Sequence, residues 1–224
     1  MPAKRVQCDE VWCFCYARRE NVPEEYKGVF GYGDLWTWVG QDADSKLVLS
    51  WHVGRPDAQT AYPFMHDLAS RVTSRVQLTT DGLHAYLEAI DSAFGTEIDY
   101  ARLIKVYGSA PNAEKRYTPA VCIETKVQVV SGDPAIEHIS TSYIERQNLQ
   151  MRMSMRRFTR LTNGHSKKVE NHLHALALHY IHYNFARVQK SIGGTPAMAA
   201  GLADRVWSVE EIIGLLDVAE KKSA

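Results

Sequence analysis

The sequence lacks the features that mark several classes of protein. Its four cysteines include no Cys-x-x-Cys pair, so no zinc ribbon is indicated, and three of them crowd into the segment from Cys8 to Cys15, where neighbours cannot easily bridge. No apolar run is long enough to span a bilayer, and the N-terminus lacks the apolar segment of a secretory signal. Internal repeats and low-complexity tracts are also missing. We therefore expect a soluble, cytoplasmic protein with reduced thiols.

The sequence also carries no net charge at neutral pH. The 26 lysines and arginines balance 26 aspartates and glutamates across 224 residues. A neutral total excludes a uniformly basic protein, but it leaves room for a local basic patch. The hydrophobic content of 45% suffices for one sizeable core with an appendage, or for two small domains.

Hydrophobic patterning predicts a mixed α/β chain. The predicted strands are Val6–Tyr16, Leu35–Asp44, Lys46–Gly54, Val76–Gly82 and Tyr100–Gly108, and the predicted helices are Asp57–Val72, Leu83–Gly95, Ser142–Arg160, Lys168–Gln189 and Ser208–Lys222. Residues 109–140 contain three prolines and predict a mobile loop or an insertion, and the segment IGGTPAMAAG predicts a linker. This order predicts a mixed five-stranded sheet with an antiparallel start and a parallel continuation, flanked by helices. A ribonuclease-H-like fold has this order, and so do other mixed α/β folds.

Acidic residues interrupt the predicted strands at two places. In VQCDEVWCFC, strand alternation puts Asp9 on a face with small residues and Glu10 on the face with large aromatics. Asp81 lies at the carboxyl end of its strand, in TTDG, where ligands of open α/β sheets bind. Asp9 could equally be paired with an arginine, Asp81 with Gly82 could be an ordinary turn, and Glu10 is predicted to be structural or solvent-facing.

A third acid begins a basic helix. At about 100° per residue, Glu145, Asn148, Arg152 and Arg156 share one face, and a separate apolar stripe can pack on the sheet. Three carboxylates meeting at the end of a sheet would repel one another unless divalent cations joined them, and Mg²⁺ prefers such oxygen ligands. We therefore predict that Asp9, Asp81 and Glu145 hold Mg²⁺ or Mn²⁺, with two ions supporting displacement at phosphorus. The alternative for the helix is a solvated charged face.

Seven basic residues and no acid follow Glu145 as far as Lys168. Arginine suits phosphate because its planar fork can donate two hydrogen bonds, and such contacts give salt-dependent DNA binding. We favour DNA binding over a merely solvated surface because the segment adjoins the third acid. The residues predicted to contact DNA are Asn148, Arg152, Arg156, Arg157, Arg160, Lys167 and Lys168.

Four histidines lie on the second long helix: His172, His174, His179 and His182. A metal pair formed by His179 and His182, one turn apart, is conceivable. Since no cysteine or carboxylate completes a zinc set, we predict packing and hydrogen bonding for these side chains.

Three segments resemble a known family. QCDEVW, TTDG and IERQNLQMRMSMRRFTRLTNGHSKKVENHLHAL are similar to the catalytic half of transposases of the insertion-sequence-one type, within the DDE transposase and integrase group. The tail YNFARVQKSIGGTPAMAAG is similar to the segment after the last acid in many of these enzymes. The resemblance runs from about Gln7 to Gly201.

The resemblance implies a ribonuclease-H-like catalytic domain over residues 1–165 and a C-terminal helical extension over residues 166–224. It implies a catalytic triad of Asp9, Asp81 and Glu145, and a DNA contact by Arg152. It further implies metal-dependent DNA cleavage and 3′-OH strand transfer by a homo-oligomer. Two other functions stay open: a catalytically idle DNA-binding or regulatory fragment, and a ribonuclease-H-like nuclease that joins no ends.

Overall fold

The computed structural model describes residues 1, 3–108, 121–159 and 162–215. Its strands are β1 (Arg5–Cys15), β2 (Gly33–Asp42), β3 (Val48–Gly54), β4 (Val76–Thr80), β5 (Ile98–Gly108) and β6 (Val121–Ser131). Its helices are α1 (Ala58–Arg71), α2 (Ala85–Phe94), α3 (Ser142–Ser154), α4 (Val169–Ile181) and α5 (Pro196–Ala199), with a π-helical turn at His182–Ala186. No helix in these ranges is both long and apolar enough to cross a bilayer.

The strands form one mixed sheet in the order β3-β2-β1-β4-β5-β6. The β1–β2, β2–β3 and β5–β6 pairs are antiparallel, and β4 is parallel to both β1 and β5. The prediction of five strands was wrong, because the sheet has six. The sixth strand lies in the segment that prolines had marked as irregular. It forms between Pro119 and Pro134, where β-branched and polar residues alternate in VCIETKVQVVS.

Helices cover both faces of the sheet with separate apolar clusters. On one face, α1 and α2 pack through residues such as Phe64 and Tyr86 against Cys8 and Trp38. On the other face, α3 and α4 contribute Ile144, Met151, Leu176 and Tyr180, which pack against Val11, Cys13 and Val39. Cys8 and Cys13 lie in different clusters because successive side chains of a strand point to opposite faces.

Local signals define the ends of several helices. Asp57 is the N-cap of α1, and its Oδ1 accepts a hydrogen bond from the Thr60 N–H at 3.1 Å. Gly95 ends α2 with a φ of +54°, a conformation that glycine adopts without strain. The prediction that the next helix continues to Arg160 was wrong, because α3 ends at Ser154. Met155 is extended there, and the turn lets Phe158 bury completely in the second cluster.

The segment predicted as a linker is packed rather than free. Thr195 caps α5 by accepting a hydrogen bond from the Met198 N–H at 3.2 Å, and both Thr195 and Ala197 are completely buried. Ala197 belongs to the cluster beneath α1 and α2. The predicted terminal helix is helical over residues 209–215, and its residues 216–222 lie outside the described residues. The domain boundary at residue 165 stays a prediction.

Candidate metal and nucleic-acid site

A divergence between two parallel strands creates the site. β1 pairs with β4 only as far as Gln7 and Thr79, whereas β1 continues to Cys15 beside β2. Asp9 and Glu10 lie two and three residues beyond Gln7, and Asp81 directly follows the last residue of β4. Adjacent strand residues normally point to opposite faces. Here the gap beside β1 lets side chains from both faces approach Asp81.

The three carboxylates converge in that gap. Asp9, Glu10 and Asp81 each offer one carboxylate oxygen within 4.8 Å of the others. Asp9 is held by two hydrogen bonds: its Oδ1 accepts from the Glu10 N–H at 2.9 Å, and its Oδ2 accepts from Asn148 Nδ2 at 2.9 Å. Asp81 is held by a turn in which its Oδ1 accepts from the Leu83 N–H at 2.9 Å. Both acids are therefore fixed in orientation.

Within this cluster, Glu10 has an oxygen that lacks a well-formed hydrogen bond. Its Oε1 is enclosed by protein, and the buried hydroxyl of Tyr86 lies near the carboxylate but makes no hydrogen bond of normal geometry with that oxygen. A buried carboxylate oxygen without a partner costs several kcal/mol, since it gives up water and gains nothing in return. Glu10 had been predicted to be structural or solvent-facing, and the structure places it in the acidic cluster instead.

The electrostatics of the cluster favour a cation. Burial, together with the charge of Asp81, raises the pKa of Asp9 to about 7. Burial and the neighbouring acids also raise the pKa of Glu10 well above its usual range, and burial raises that of Asp81. Three carboxylates that resist ionisation together are stabilised when a divalent ion neutralises them. The donor set is all oxygen, which suits Mg²⁺ or Mn²⁺, and the unpartnered oxygen of Glu10 adds to the fit.

Glu145 lies beside this cluster on the first turn of α3. Its Oε1 accepts hydrogen bonds from Thr141 Oγ1 and from Lys105 Nζ, with which it forms an ion pair. Its negative charge contributes to the raised pKa values of both Asp9 and Asp81, so the three predicted acids share one electrostatic site. Among the described residues, however, the tight group of acids contains Glu10 in place of Glu145.

Gln7 fixes the helix that carries Glu145. Its Oε1 accepts from the N–H groups of Tyr143 (2.9 Å) and Ile144 (3.1 Å), which lie in the first turn of α3 and have no partner within the helix. Gln7 is buried in β1, two residues before Asp9. It thereby sets the position of α3 relative to the strand that carries Asp9.

Comparison with solved structures gives a distant likeness. No family model matches the chain, and no curated protein matches it. A solved structure of a piggyBac transposase synaptic complex with hairpin DNA aligns with 81% of this chain and 45% of that chain. The sequence identity is 14% and the TM-score is 0.36. This chain spans less than half the length of that protein, and so distant a likeness carries no argument about function.

The basic residues predicted to bind DNA differ in their surroundings. Arg152 Nη1 donates to the Phe158 carbonyl oxygen at 3.0 Å, and Arg157 Nη1 donates to Ser166 Oγ at 3.1 Å. Both arginines therefore also stabilise the turn after α3. Asn148 is buried against Asp9. The exposed members are Arg156, Lys167 and Lys168, and Arg160 lies outside the described residues.

Sequence reasoning missed the basic side chains that adjoin the acids. Lys105 extends from β5 to Glu145, and the negative charge of Asp9 also acts on Lys105, whose pKa it helps to raise. Arg102, one of the few buried charges, donates from Nη2 to the Gly82 carbonyl oxygen and from Nη1 to Gln128 Oε1 at 3.3 Å. Its charge partly offsets the raised pKa of Asp81. The sequence did contain one signal, which is the presence of two basic residues in β5, the next strand after Asp81. Alternation puts Arg102 and Lys105 on opposite faces of that strand.

Proposed function

We propose that this chain is a DNA transposase of the ribonuclease-H-like type, which cleaves DNA and joins a 3′-OH end to target DNA with the help of Mg²⁺ or Mn²⁺. The observation that carries the proposal is the convergence of Asp9, Glu10 and Asp81 where β1 and β4 diverge, with Glu145 beside them on α3. The mixed sheet, whose first five strands are arranged in the order 3-2-1-4-5, is compatible with that fold. The resemblance of the surrounding segments to insertion-sequence-one-type enzymes supports the same assignment.

The chain's own residues supply the ligands and the geometry. Asp9, Asp81 and Glu145 would hold the metal, and the carboxylate of Glu10 is close enough to take part. Bound Mg²⁺ supplies Lewis acidity for displacement at phosphorus, both at the attacking and at the leaving oxygen. Asn148 orients the Asp9 carboxylate, and Gln7 holds the first turn of α3 in position.

Cations along α3 and near the turn after it would hold the DNA backbone near the acids. A shallow pocket of about 460 Å³ runs along α3 and is lined by Asp9, Glu145 and Arg152, among other residues. A second opening beyond it is lined by Arg18 and Arg156. Cations at these positions would neutralise phosphates on either side of the scissile bond, and this attraction would weaken as salt is added.

Strand transfer tests the proposal directly. The purified chain is mixed with Mg²⁺ or Mn²⁺, a labelled pre-cut element end with a 3′-OH, and supercoiled plasmid. Joined product should form with the wild type and disappear with Asp9→Asn, Asp81→Asn and Glu145→Gln. Asp91→Asn and Glu88→Gln, exposed acids on α2, are matched controls that should retain it. If Asp81→Asn joined or cut DNA as well as the wild type, the proposed site would be wrong.

The ion pair between Lys105 and Glu145 favours a second candidate. With Lys105 in place, the glutamate is already neutralised, which would suit a catalytically idle DNA-binding fragment. Such a fragment would bind DNA in a salt-sensitive manner, and triad variants would bind it as well as the wild type does. It would neither nick nor join DNA with either metal, even when Lys105 is replaced by methionine.

A further inference from the structure

Within the part of the chain that the structure describes, the outer edge of β6 is open, and the strand is long for an exposed edge. β6 pairs with β5 on one side, and no described strand pairs with it on the other. An open strand edge presents unpaired N–H and C=O groups that can pair with another chain, so edge strands of monomers are usually short or protected by charge and proline. β6 has 11 residues, and every side chain from Cys122 to Val130 is exposed.

One face of this edge carries an apolar stripe. Val127 and Val129 lie opposite Leu103 and Ala101 of β5, on the face where Lys105 reaches Glu145. Val127 is 48% exposed, Val129 is 51% exposed and Ile123 is 66% exposed. None of the described helices covers these side chains, although α3 and α4 cover the same face of β1 and β2. The stripe contains no charge, so it suits another protein surface better than a nucleic-acid backbone.

The sequence of β6 is complementary to itself in one antiparallel register. Residues directly opposite each other in an antiparallel pair must point to the same face of the sheet. The two-fold axis must therefore lie between the two copies of a single residue, which then faces itself. An axis at Glu124 or Lys126 would oppose like charges. An axis at Thr125 sets Glu124 of each copy opposite Lys126 of the other, and it brings Ile123 beside Val127. Of the registers centred between Glu124 and Gln128, this one alone pairs opposite charges.

We propose that β6 is a dimerisation edge, at which a second copy of this chain adds its own β6 antiparallel with the two-fold axis at Thr125. The two sheets then join into one continuous sheet. Because the axis is perpendicular to the sheet, both copies of α3 and both acidic sites lie on the same side. A single strand pair with one apolar stripe is small beside the standard interface of about 1,600 Å², so the dimer is reversible and depends on concentration.

Charge reversal tests the register. Sedimentation velocity over about 1–100 μM, a range that brackets weak reversible association, measures the dimer for each variant. Glu124→Lys and Lys126→Glu should each weaken association about tenfold or more, because like charges then face each other across the axis. A one-to-one mixture of the two variants should restore association. Neither chain in that mixture regains its internal Glu124–Lys126 pair, so only contact between copies explains the recovery.

Two controls separate this interface from other effects. Glu24→Lys and Lys27→Glu change an exposed ion pair far from β6 and should leave the dimer unchanged. Thr125→Cys in a Cys122→Ser background should form a disulfide-linked dimer on mild oxidation, because Thr125 faces its own copy at the axis. Glu124→Cys in the same background should not, since it faces position 126.

The results that overturn the proposal are equally defined. A wild-type chain that stays monomeric throughout the concentration range would reject a dimer. A dimer unaffected by either charge reversal would place the interface elsewhere. If Glu124→Lys and Lys126→Glu left the dimer intact but changed the affinity for an oligonucleotide, this edge would be a nucleic-acid surface and the proposal would be wrong.

Discussion

Replacing Asp9 by asparagine should stabilise the metal-free protein while removing its response to Mg²⁺. Without a metal, the Asp9 carboxylate lies beside other acids, and burial together with the charge of Asp81 raises its pKa from 3.8 to about 7. At about 1.36 kcal/mol for each pKa unit, ionising Asp9 in the folded state costs about 4 kcal/mol. Because the folded state holds the proton more tightly, this cost is absent below pH 4 and is complete only above pH 7.

Asparagine removes the charge and keeps one oxygen, which can accept from the Glu10 N–H or from Asn148 but not from both, as the two oxygens of Asp9 do. The lost hydrogen bond and solvent screening reduce the gain, so we expect the variant to be more stable than the wild type by about 1–3 kcal/mol at pH 8 in EDTA. For a chain of this size each kcal/mol raises Tm by about 2–4 °C.

Thermal and urea unfolding measure the effect, with Asp91→Asn as the control. Addition of Mg²⁺ should stabilise the wild type, since an ion that binds only the folded state shifts the equilibrium, and should not stabilise Asp9→Asn. The reasoning fails if Asp9→Asn is less stable than the wild type in EDTA at pH 8. It also fails if Mg²⁺ stabilises both proteins equally.

Three further outcomes are expected. Lys105→Met should bind Mn²⁺ several-fold more tightly in a calorimetric titration, because the lysine competes with the metal for Glu145, whereas Lys126→Met should leave the affinity unchanged. Burial lowers the pKa of His172 to about 4, so as pH falls the unfolded chain takes up a proton at this residue before the folded chain does. The free energy of unfolding should therefore drop by about 2 kcal/mol between pH 7 and pH 5 through this residue. Urea unfolding of His172→Asn should show a correspondingly flatter pH dependence. Asp57→Ala should lower the unfolding free energy by about 1 kcal/mol through loss of the α1 N-cap, and an unchanged midpoint would contradict that role.

The elements with strong local signals were predictable, and the site was predictable only in part. The N-cap at Asp57 and the glycine that ends α2 are local features, and the sequence shows them directly. β6 was missed because prolines on both sides outweighed a short alternating pattern. The end of α3 at Ser154 depends on the burial of Phe158 in a cluster built by distant residues, which no local pattern reveals.

Glu10 shows why the candidate site needed the fold. Alternation correctly put Glu10 and Asp9 on different faces of β1, and that argument removed Glu10 from the predicted ligands. The fold nevertheless brings Glu10 beside Asp9 and Asp81, because β4 separates from β1 after Gln7 and an open gap no longer keeps the two faces apart. Lys105 was missed for a related reason, since its partner Glu145 is 40 residues away and approaches only through packing.

Gln7 gives the site an unusual dependence on an uncharged residue. A strand acid and a helix acid can share one ion only if the two elements keep a fixed spacing, and one amide oxygen sets that spacing here through its bonds to Tyr143 and Ile144. Sequence changes that preserve the site must therefore either keep a hydrogen-bond acceptor at position 7 or alter β1 and α3 together. A search for active members among divergent sequences would gain from inspecting this neutral position alongside the acids.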